Sequence, residues 1–254
     1  MTTILRLIWH GLLALAALAI VADKALITWG VIKFNPGIEG WVLLFAGIVV
    51  FVESIVSIFG LVSSNAQMVR IRNIEKTVLA SLKAISVETG VDVWYLGGSV
   101  FLAKKRGLRR ESYLHRVVRY RLSDSPQPSS VNWTDKKGTI GEAWHHKNEV
   151  HNNWTKIAER HGGTDLSQVA FDKLPERTRS GFSVDEFRGI SSKYAEILAV
   201  PIWNAEKTRC VGILSIDIPM TVEHSKLGTC LASKGSKEIV ATCAAVLSEL
   251  LDRN

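Results

Sequence analysis

The feature that most constrains this chain is an apolar segment near its N-terminus. From Trp41 to Val62 the sequence reads WVLLFAGIVVFVESIVSIFGLV, and Glu53 is its one ionisable side chain. At ~1.5 Å rise per residue such a helix spans about 33 Å, which matches a bilayer hydrocarbon core of about 30 Å. A buried helix of a soluble protein is rarely so uniformly apolar. The segment therefore predicts a membrane-spanning helix.

An earlier apolar segment, Leu7 to Ala22, is followed by Asp23 and Lys24. One interpretation is a signal peptide, with Arg6 ahead of an apolar stretch. The interpretation we prefer is the first span of a transmembrane helical hairpin that turns at Asn35-Pro36-Gly37; whether it is one long helix or a shorter span stays open. The distribution of Lys and Arg around the spans favours both ends on the cytoplasmic side. We therefore expect an inner-membrane protein whose C-terminal domain is cytoplasmic.

Glu53 lies near the middle of the second predicted span. An ionised carboxylate at that depth is costly unless it is paired, so an intramembrane glutamate is a candidate functional residue. It could line a pore or form a hydrogen bond between protomers. The alternative is a protonated glutamate, or one paired with His10 or Lys24. Both interpretations stay open.

The remainder of the chain, residues 65–254, has the composition of a basic soluble domain. Basic and acidic side chains balance in residues 1–64, so this domain carries the formal net charge of +7. That charge suits phosphorylated ligands, anionic lipid or nucleic acid without choosing among them. The 3 cysteines are too few and too widely spaced for a disulfide framework or a four-ligand zinc site. We expect no metal and no cofactor.

Periodicity predicts the elements of this domain. An amphipathic helix over 65–88 carries apolar residues at three- and four-residue steps until Gly90 ends it, and a second amphipathic helix runs through Ile239 to Leu251. Strand patterns lie between them, namely Val91 to Ala103, Leu114 to Leu122, Ala195 to Pro201 and Cys210 to Ile218. This order predicts an α+β fold. The boundaries are 1–64 for the transmembrane hairpin, 65–88 for a connecting helix and 89–254 for the soluble domain.

Two motifs add a family resemblance. TDKKGTIGEAW (Thr134 to Trp144) is similar to the GAF-domain pattern in which a Gly-x-x-Gly turn opens a helix. YAEILAVPIWNAEKTRCVGILSIDIP (Tyr194 to Pro219) resembles the closing hairpin of the same family. The resemblance covers residues 75–252. It implies an antiparallel sheet of about six strands with helices on one face, and a small-molecule pocket between the other face and a variable middle segment.

The resemblance also implies where a ligand would bind. Members of the family bind cyclic nucleotides, haem, bilins or small metabolites, and many bind nothing. The middle segment, 141–190, holds aromatic, histidine and arginine side chains, among them Trp154, Arg160 and His161. Base stacking with a guanidinium on phosphate would suit a nucleotide. Our candidate ligand-binding residues are Trp144, His145, Phe182, Phe187, Arg188 and Tyr194. The alternative is that the aromatic residues fill the core and the histidines are solvated.

An enzymatic interpretation ranks third. The closing hairpin also resembles the free methionine sulfoxide reductases, which are catalytic GAF proteins with a cysteine just before the Ser-Glu element. Here that stretch is Gly189-Ile190-Ser191-Ser192, without a thiol. A sulfur nucleophile is therefore missing there, and we expect no catalytic residues and no enzymatic activity.

Two functional hypotheses follow. In the first, the GAF-like domain binds a nucleotide messenger and clusters the transmembrane helices, so that the protein disrupts the membrane as an antiviral-type effector; its architecture resembles two-helix effectors of bacterial antiphage systems. In the second, it is a membrane-tethered receptor or scaffold that signals through a partner protein. Since no output domain follows Leu251 in this sequence, both require a homo-oligomer or a partner. We expect a bilayer and a small ligand as partners, and no nucleic acid polymer.

Overall fold

The computed structural model describes residues 20–21, 24–25, 28–29, 36–106, 111–161, 166–223 and 226–252. The chain divides into two compact units, Met1–Met68 and Val69–Asn254. The predicted first span, Leu7 to Ala22, lies almost entirely outside the described residues. The tip of the basic turn after Lys104 lies outside them too.

The N-terminal unit contributes the start of helix α1, Pro36–Thr89. Pro36 and Gly37 belong to this helix, so the turn predicted at Asn35-Pro36-Gly37 is wrong for these two residues. Proline suits the first turn of a helix because the amide it lacks would have no intrahelical partner there. Large apolar side chains of the described part of this unit are exposed: Trp41 by 74%, Phe45 by 63% and Phe51 by 66%. Among the described residues, no helix is both long and apolar enough to cross a membrane.

The second unit is built on an antiparallel sheet. Its strands are β1 (Gly97–Arg106), β2 (Glu111–Arg121), β3 (Val150–Asn153), β4 (Tyr194–Trp203) and β5 (Cys210–Pro219). They are ordered β2-β1-β5-β4-β3. A five-stranded antiparallel sheet with flanking helices fits the predicted α+β, GAF-like domain. The expected count of about six strands is one more than the described residues form.

The first strand is shorter than its sequence pattern. The alternating residues from Val91 predict a strand, but β1 begins only at Gly97. The Asp92 carboxylate accepts a hydrogen bond of 2.8 Å from the Trp94 amide, and the Tyr95 amide donates to the Asp92 carbonyl at 3.0 Å. An aspartate that bonds the amide two residues on favours a turn. The chain therefore turns between α1 and β1.

One face of the sheet packs against α1 and the last helix, α7 (Lys234–Asp252). The predicted stripe of α1 is buried there, with Ile74, Val78, Leu82 and Ile85 at most 2% exposed. α1 ends at Thr89, and Gly90 follows with a φ of 77°. The helix over 65–88 and the C-terminal helix are thus confirmed as elements.

Arg70 ties the start of this unit to its last helix. Its Nε donates to the Leu250 carbonyl at 3.0 Å and its Nη2 to the Leu251 carbonyl at 2.6 Å. The carbonyls of a last helical turn lack intrahelical partners and carry partial negative charge. Arg70 therefore caps the C-terminal end of α7.

The other face is covered by the middle of the chain. Its helices are α2 (Gly138–His146), α3 (Thr155–His161), α4 (Gln168–Asp172), α5 (Glu176–Arg179) and α6 (Val184–Ser191). They enclose a second hydrophobic core rich in aromatic rings. α6 begins with a capping box, in which Ser183 and Glu186 each bond the other's backbone amide.

A buried carboxylate fixes the loop between β5 and α7. Glu196 on β4 is fully buried and accepts hydrogen bonds from the amides of Gly228 (2.6 Å), Cys230 (3.0 Å) and Leu231 (2.9 Å). His151 Nε2 lies 3.0 Å from Glu196 Oε2. Burial alone would raise the pKa of Glu196, but these hydrogen bonds outweigh burial and lower it. The charged carboxylate thus stabilises the loop.

Candidate functional site

A cavity of about 440 Å³ opens among α2, β3, α3 and α5. It lies beside the aromatic core, because the buried Trp154 contributes to its wall. The wall is mostly polar. It is formed by Glu142, Asn152, Asn153, Trp154, Lys156, Ile157, Arg160, His161, Arg177, Thr178 and Ser180.

Helix α3 supplies most of the basic wall. Lys156, Arg160 and His161 all line the cavity, and the spacing of four between the first two places them on one face of the helix. The Asn153 side chain accepts a hydrogen bond of 2.9 Å from the Thr155 amide at the start of α3. This contact fixes the helix start next to the cavity.

The electrostatics of the wall favour an anion. Lys156, Arg160 and Arg177 form no ion pair with the described residues. Glu142 is the carboxylate of the described wall, and the Asn152 amide donates to it at 3.2 Å. Positive side chains therefore outnumber negative ones around the cavity.

Trp154, one residue of this wall, has a buried donor. Its indole Nε1 forms no hydrogen bond with any residue that the structure describes. A buried N–H without a partner costs about 1–3 kcal/mol. A ligand oxygen within reach of this N–H would remove that cost.

The predicted aromatic ligand residues lie in the core instead. Phe187 is 0% exposed, and its ring centroid lies 5.4 Å from that of Phe171 and 6.3 Å from that of Trp154. Phe182 and Trp144 are likewise buried, at 6% and 7% exposure. These rings pack behind the cavity and are not part of its wall.

The predicted polar residues are dispersed. His145 is exposed, and its Nδ1 lies 2.9 Å from Asp135 Oδ2. Arg188 donates from Nε to the Leu166 carbonyl at 2.9 Å and from Nη1 to Asp185 at 2.8 Å. Neither residue lines the cavity. The six predicted residues are therefore not brought together at one site.

Tyr194 lies elsewhere on the sheet, near the ion pair of Arg121 and Asp217. Burial and the Asp217 charge raise the pKa of Tyr194 to about 12, although Arg116, Arg119 and Arg121 oppose the shift. Its phenol is therefore neutral at pH 7 and can donate a hydrogen bond.

Trp154, Arg160 and His161 lie in the middle segment, where the sequence predicted the ligand site, but they were not among the six candidate ligand-binding residues. Lys156 and Arg177 were missed. The four-residue spacing of Lys156 and Arg160 was a usable signal. Arg177 had none, because it comes to the cavity from a separate short helix.

The structure also bears on metal and thiol chemistry. The described part of the chain contains no group of three His, Cys, Asp or Glu side chains that could hold a metal ion. Burial raises the pKa of the Cys210 and Cys243 thiols, and it raises the pKa of Cys230 to about 11. These thiols are therefore protonated at neutral pH, and protonated thiols are poor nucleophiles.

Comparison with known proteins gives a fold resemblance only. No family model and no curated protein matches the sequence. Among solved structures, fRMsr of Staphylococcus aureus in its reduced form is 12% identical, with a TM-score of 0.38 over 71% of this chain and 94% of that one. The GAF domain of a sensor histidine kinase from Bacillus halodurans is also 12% identical, with a TM-score of 0.38 over 70% of this chain and 92% of that one.

A third structure is the inducer-binding domain of the transcription factor PobR from Acinetobacter, in complex with 3-hydroxybenzoic acid. It is 15% identical, with a TM-score of 0.36 over 70% of this chain and 98% of that one. At such identities and TM-scores, these similarities support no ligand and no activity for this chain.

Proposed function

We propose that residues 69–254 form a sensor domain that binds a small anionic molecule in the cavity among α2, β3, α3 and α5. The observation that carries this proposal is the excess of basic over acidic side chains around a concave wall, where the basic ones form no ion pair within the described ranges. The volume of about 440 Å³ lies within the range of about 300–1,000 Å³ that is typical of small-molecule sites. An anion would gain charge-assisted hydrogen bonds from Arg160 and Arg177.

A phosphorylated ligand, such as the nucleotide messenger expected from the sequence, suits this wall best. Its phosphate would lie against Lys156, Arg160 and Arg177. The Glu142 carboxylate and the Asn152 side-chain oxygen would accept hydrogen bonds from donors on the rest of the molecule. An aromatic acid without further polar groups would form no hydrogen bonds with Glu142 and Asn152.

The test is thermal denaturation of the full chain with cyclic mono- and dinucleotides, compared between the wild type and single variants. Ligand binding to the folded state raises the melting temperature, and the stabilisation grows with the logarithm of ligand concentration once that concentration exceeds Kd. We expect Arg160→Gln and Arg177→Gln to weaken binding by roughly tenfold or more, because a charge-assisted hydrogen bond contributes about 1.5–3 kcal/mol. Arg209→Gln, on an exposed turn, is the matched control and should bind normally.

Two results would contradict the cavity as the ligand site. One is a stabilising ligand whose Kd is the same in the wild type and both cavity variants. The other is an equal loss of affinity in Arg209→Gln, which would indicate a general effect of net charge. Absence of stabilisation by every nucleotide would reject the nucleotide class.

For the N-terminal unit we propose association with a bilayer. Support comes from the apolar sequence Trp41 to Val62 and from the exposure of Trp41, Phe45 and Phe51, since large exposed apolar patches are typical of membrane or protein contacts. Flotation of the full chain with lipid vesicles tests this association. Recovery of all protein in the lipid-free fraction would reject it.

The effector and the scaffold hypotheses differ at Glu53. If the protein disrupts membranes and Glu53 takes part, Glu53→Gln should retain expression and ligand binding but lose toxicity in cells. Toxicity equal to the wild type would remove Glu53 from the mechanism. A wild type without toxicity under ligand would favour the receptor or scaffold function through a separate partner.

A further inference from the structure

Three arginines of β2 share one face of the sheet because of a β-bulge. Val100 pairs with Val118, but Phe101 pairs with Arg116, so Val117 is an extra residue on β2. Strict alternation would place Arg116 on the face opposite Arg119 and Arg121. The extra residue reverses that alternation. All three side chains therefore face the middle segment of the chain.

One of these arginines is neutralised by a carboxylate. Arg121 reaches across β1 and forms an ion pair with Asp217 of β5, and the two side chains are 2% and 13% exposed. This contact depends on Gly97, which lies between them in the sheet register, since a side chain there would meet both groups. Arg121 also donates from Nη1 to the Tyr95 carbonyl at 2.6 Å.

The other two arginines have only neutral partners among the described residues. Arg119 Nη2 donates to the Pro126 carbonyl, and Arg116 Nη2 makes a long contact of 3.4 Å with Ser129 Oγ. No described carboxylate forms an ion pair with either one. Burial lowers the pKa of Arg116, because a buried guanidinium loses part of its hydration.

Two buried donors beside Phe101 have no partner in the part of the chain that the structure describes. The Arg116 guanidinium carbon lies 5.3 Å from the Phe101 ring centroid, and the centroid of the Trp133 ring lies 5.9 Å from it. The donors are the Arg116 Nε and the Trp133 indole Nε1, both buried without a hydrogen bond to a described residue. Such unsatisfied donors are rare in folded proteins unless a water, ion or ligand completes them.

Small side chains lie next to the arginines. In the sheet register, Ser99 of β1 pairs with Arg119 on one side and with Ser215 of β5 on the other. Ser215 in turn pairs with Ala199 of β4. This row therefore has smaller side chains than the neighbouring row, which contains Phe101 and Ile213. The loop that contains Pro126 and Ser129 contacts the two arginines on the β2 side.

From this arrangement we propose a second ligand site, separate from the cavity, in which Arg116 and Arg119 bind an oxyanion on the sheet face. The ligand class is a phosphate, sulfate or carboxylate group, either free or as part of a metabolite. Ser99 and the neutral Tyr194 phenol supply further donors at this face. The bound anion compensates the charges of the two arginines that form no ion pair with Asp217.

Inorganic phosphate is the first probe, added to the full chain at constant ionic strength with chloride as the balancing anion. The Arg116 Nε–H signal in ¹H–¹⁵N NMR spectra of the wild type should shift with phosphate and saturate. The phosphate Kd should rise at least tenfold in Arg116→Gln and in Arg119→Gln. Arg209→Gln, on the exposed turn, should keep the wild-type Kd.

Three outcomes would overturn the site. They are an Arg116 signal that does not respond to phosphate, an unchanged phosphate Kd in both sheet variants, and a Kd that rises in Arg160→Gln but not in Arg116→Gln. If Arg116→Gln or Arg119→Gln fails to fold, the NMR titration of the wild type still tests whether phosphate binds at this site. A response to a phosphorylated or carboxylated metabolite at concentrations well below those needed for phosphate would identify the free ion as a stand-in for that larger ligand.

Discussion

Replacement of Glu196 by glutamine is the sharpest test of how this domain is held together. The carboxylate accepts three backbone amides of the loop at Gly228, Cys230 and Leu231, and it faces His151. Glutamine has nearly the same shape but only one acceptor oxygen. That oxygen can keep the two amides that now bond Oε1, and the new NH₂ group then faces the Leu231 amide.

The magnitude follows from these contacts. Loss of one charge-assisted hydrogen bond costs about 1.5–3 kcal/mol, and a buried amide left without an acceptor costs about 1–3 kcal/mol. Part of this loss is recovered if the NH₂ group donates to His151. We therefore expect Glu196→Gln to lower the free energy of unfolding by about 2–5 kcal/mol. At about 2–4 °C per kcal/mol for a domain of this size, the melting temperature should fall by roughly 4–20 °C.

Differential scanning calorimetry of the full chain measures this change, and Glu238→Gln is the matched control. Glu238 lies on α7 with its side chain 67% exposed and a distance of 3.7 Å to Lys234. An exposed pair of this kind contributes less than about 1 kcal/mol. A melting temperature for Glu196→Gln equal to that of the control would refute the claim that the carboxylate stabilises the loop.

The remaining predictions concern pH and two packing sites. Because the folded pKa of Glu196 lies below its ordinary value of 4.5, the stabilisation by this carboxylate is present above that pH and is lost on further acidification. In a calorimetric pH series, the melting temperature of Glu196→Gln should therefore fall less steeply with acidification than that of the wild type. Equal slopes would contradict this prediction. Gly97→Val should separate Arg121 from Asp217 and lower the free energy of unfolding, measured with a denaturant, by about 3–5 kcal/mol. An unchanged denaturation midpoint would show that the ion pair does not depend on the missing side chain at Gly97. Phe187→Ala should cost about 3–5 kcal/mol without ligand, whereas a pure ligand residue would leave apo stability unchanged.

The sequence predicted the framework of the second unit well, for identifiable physical reasons. The stripe from Ile74 to Ile85 is buried as expected, because a period near 3.6 specifies one helix face. The hairpin of β4 and β5 follows its apolar runs closely. Strands of this kind are specified by local pattern alone.

The site was harder to predict because it depends on contacts between distant segments. Phe182 and Phe187 looked like stacking partners for a base, yet the covering helices place them in the core. Arg116 directly precedes a β-bulge, which strict alternation of side chains along the strand cannot predict. Arg177 joins α3 at the cavity only through the tertiary fold. Composition identified the residue types, but the fold determined which of them meet.

The Arg70 contact with the carbonyls of Leu250 and Leu251 has a consequence for engineering. It places the entry and the exit of the unit Val69–Asn254 side by side. A domain whose ends meet can be inserted into a surface loop of another protein, or circularly permuted, with only a short linker. The exposed turn between β4 and β5 offers a place for the new ends. The unit could thus be inserted as a sensor domain into another protein. Any ligand-dependent conformational change would then reach the host protein through the one place where the two chains are joined.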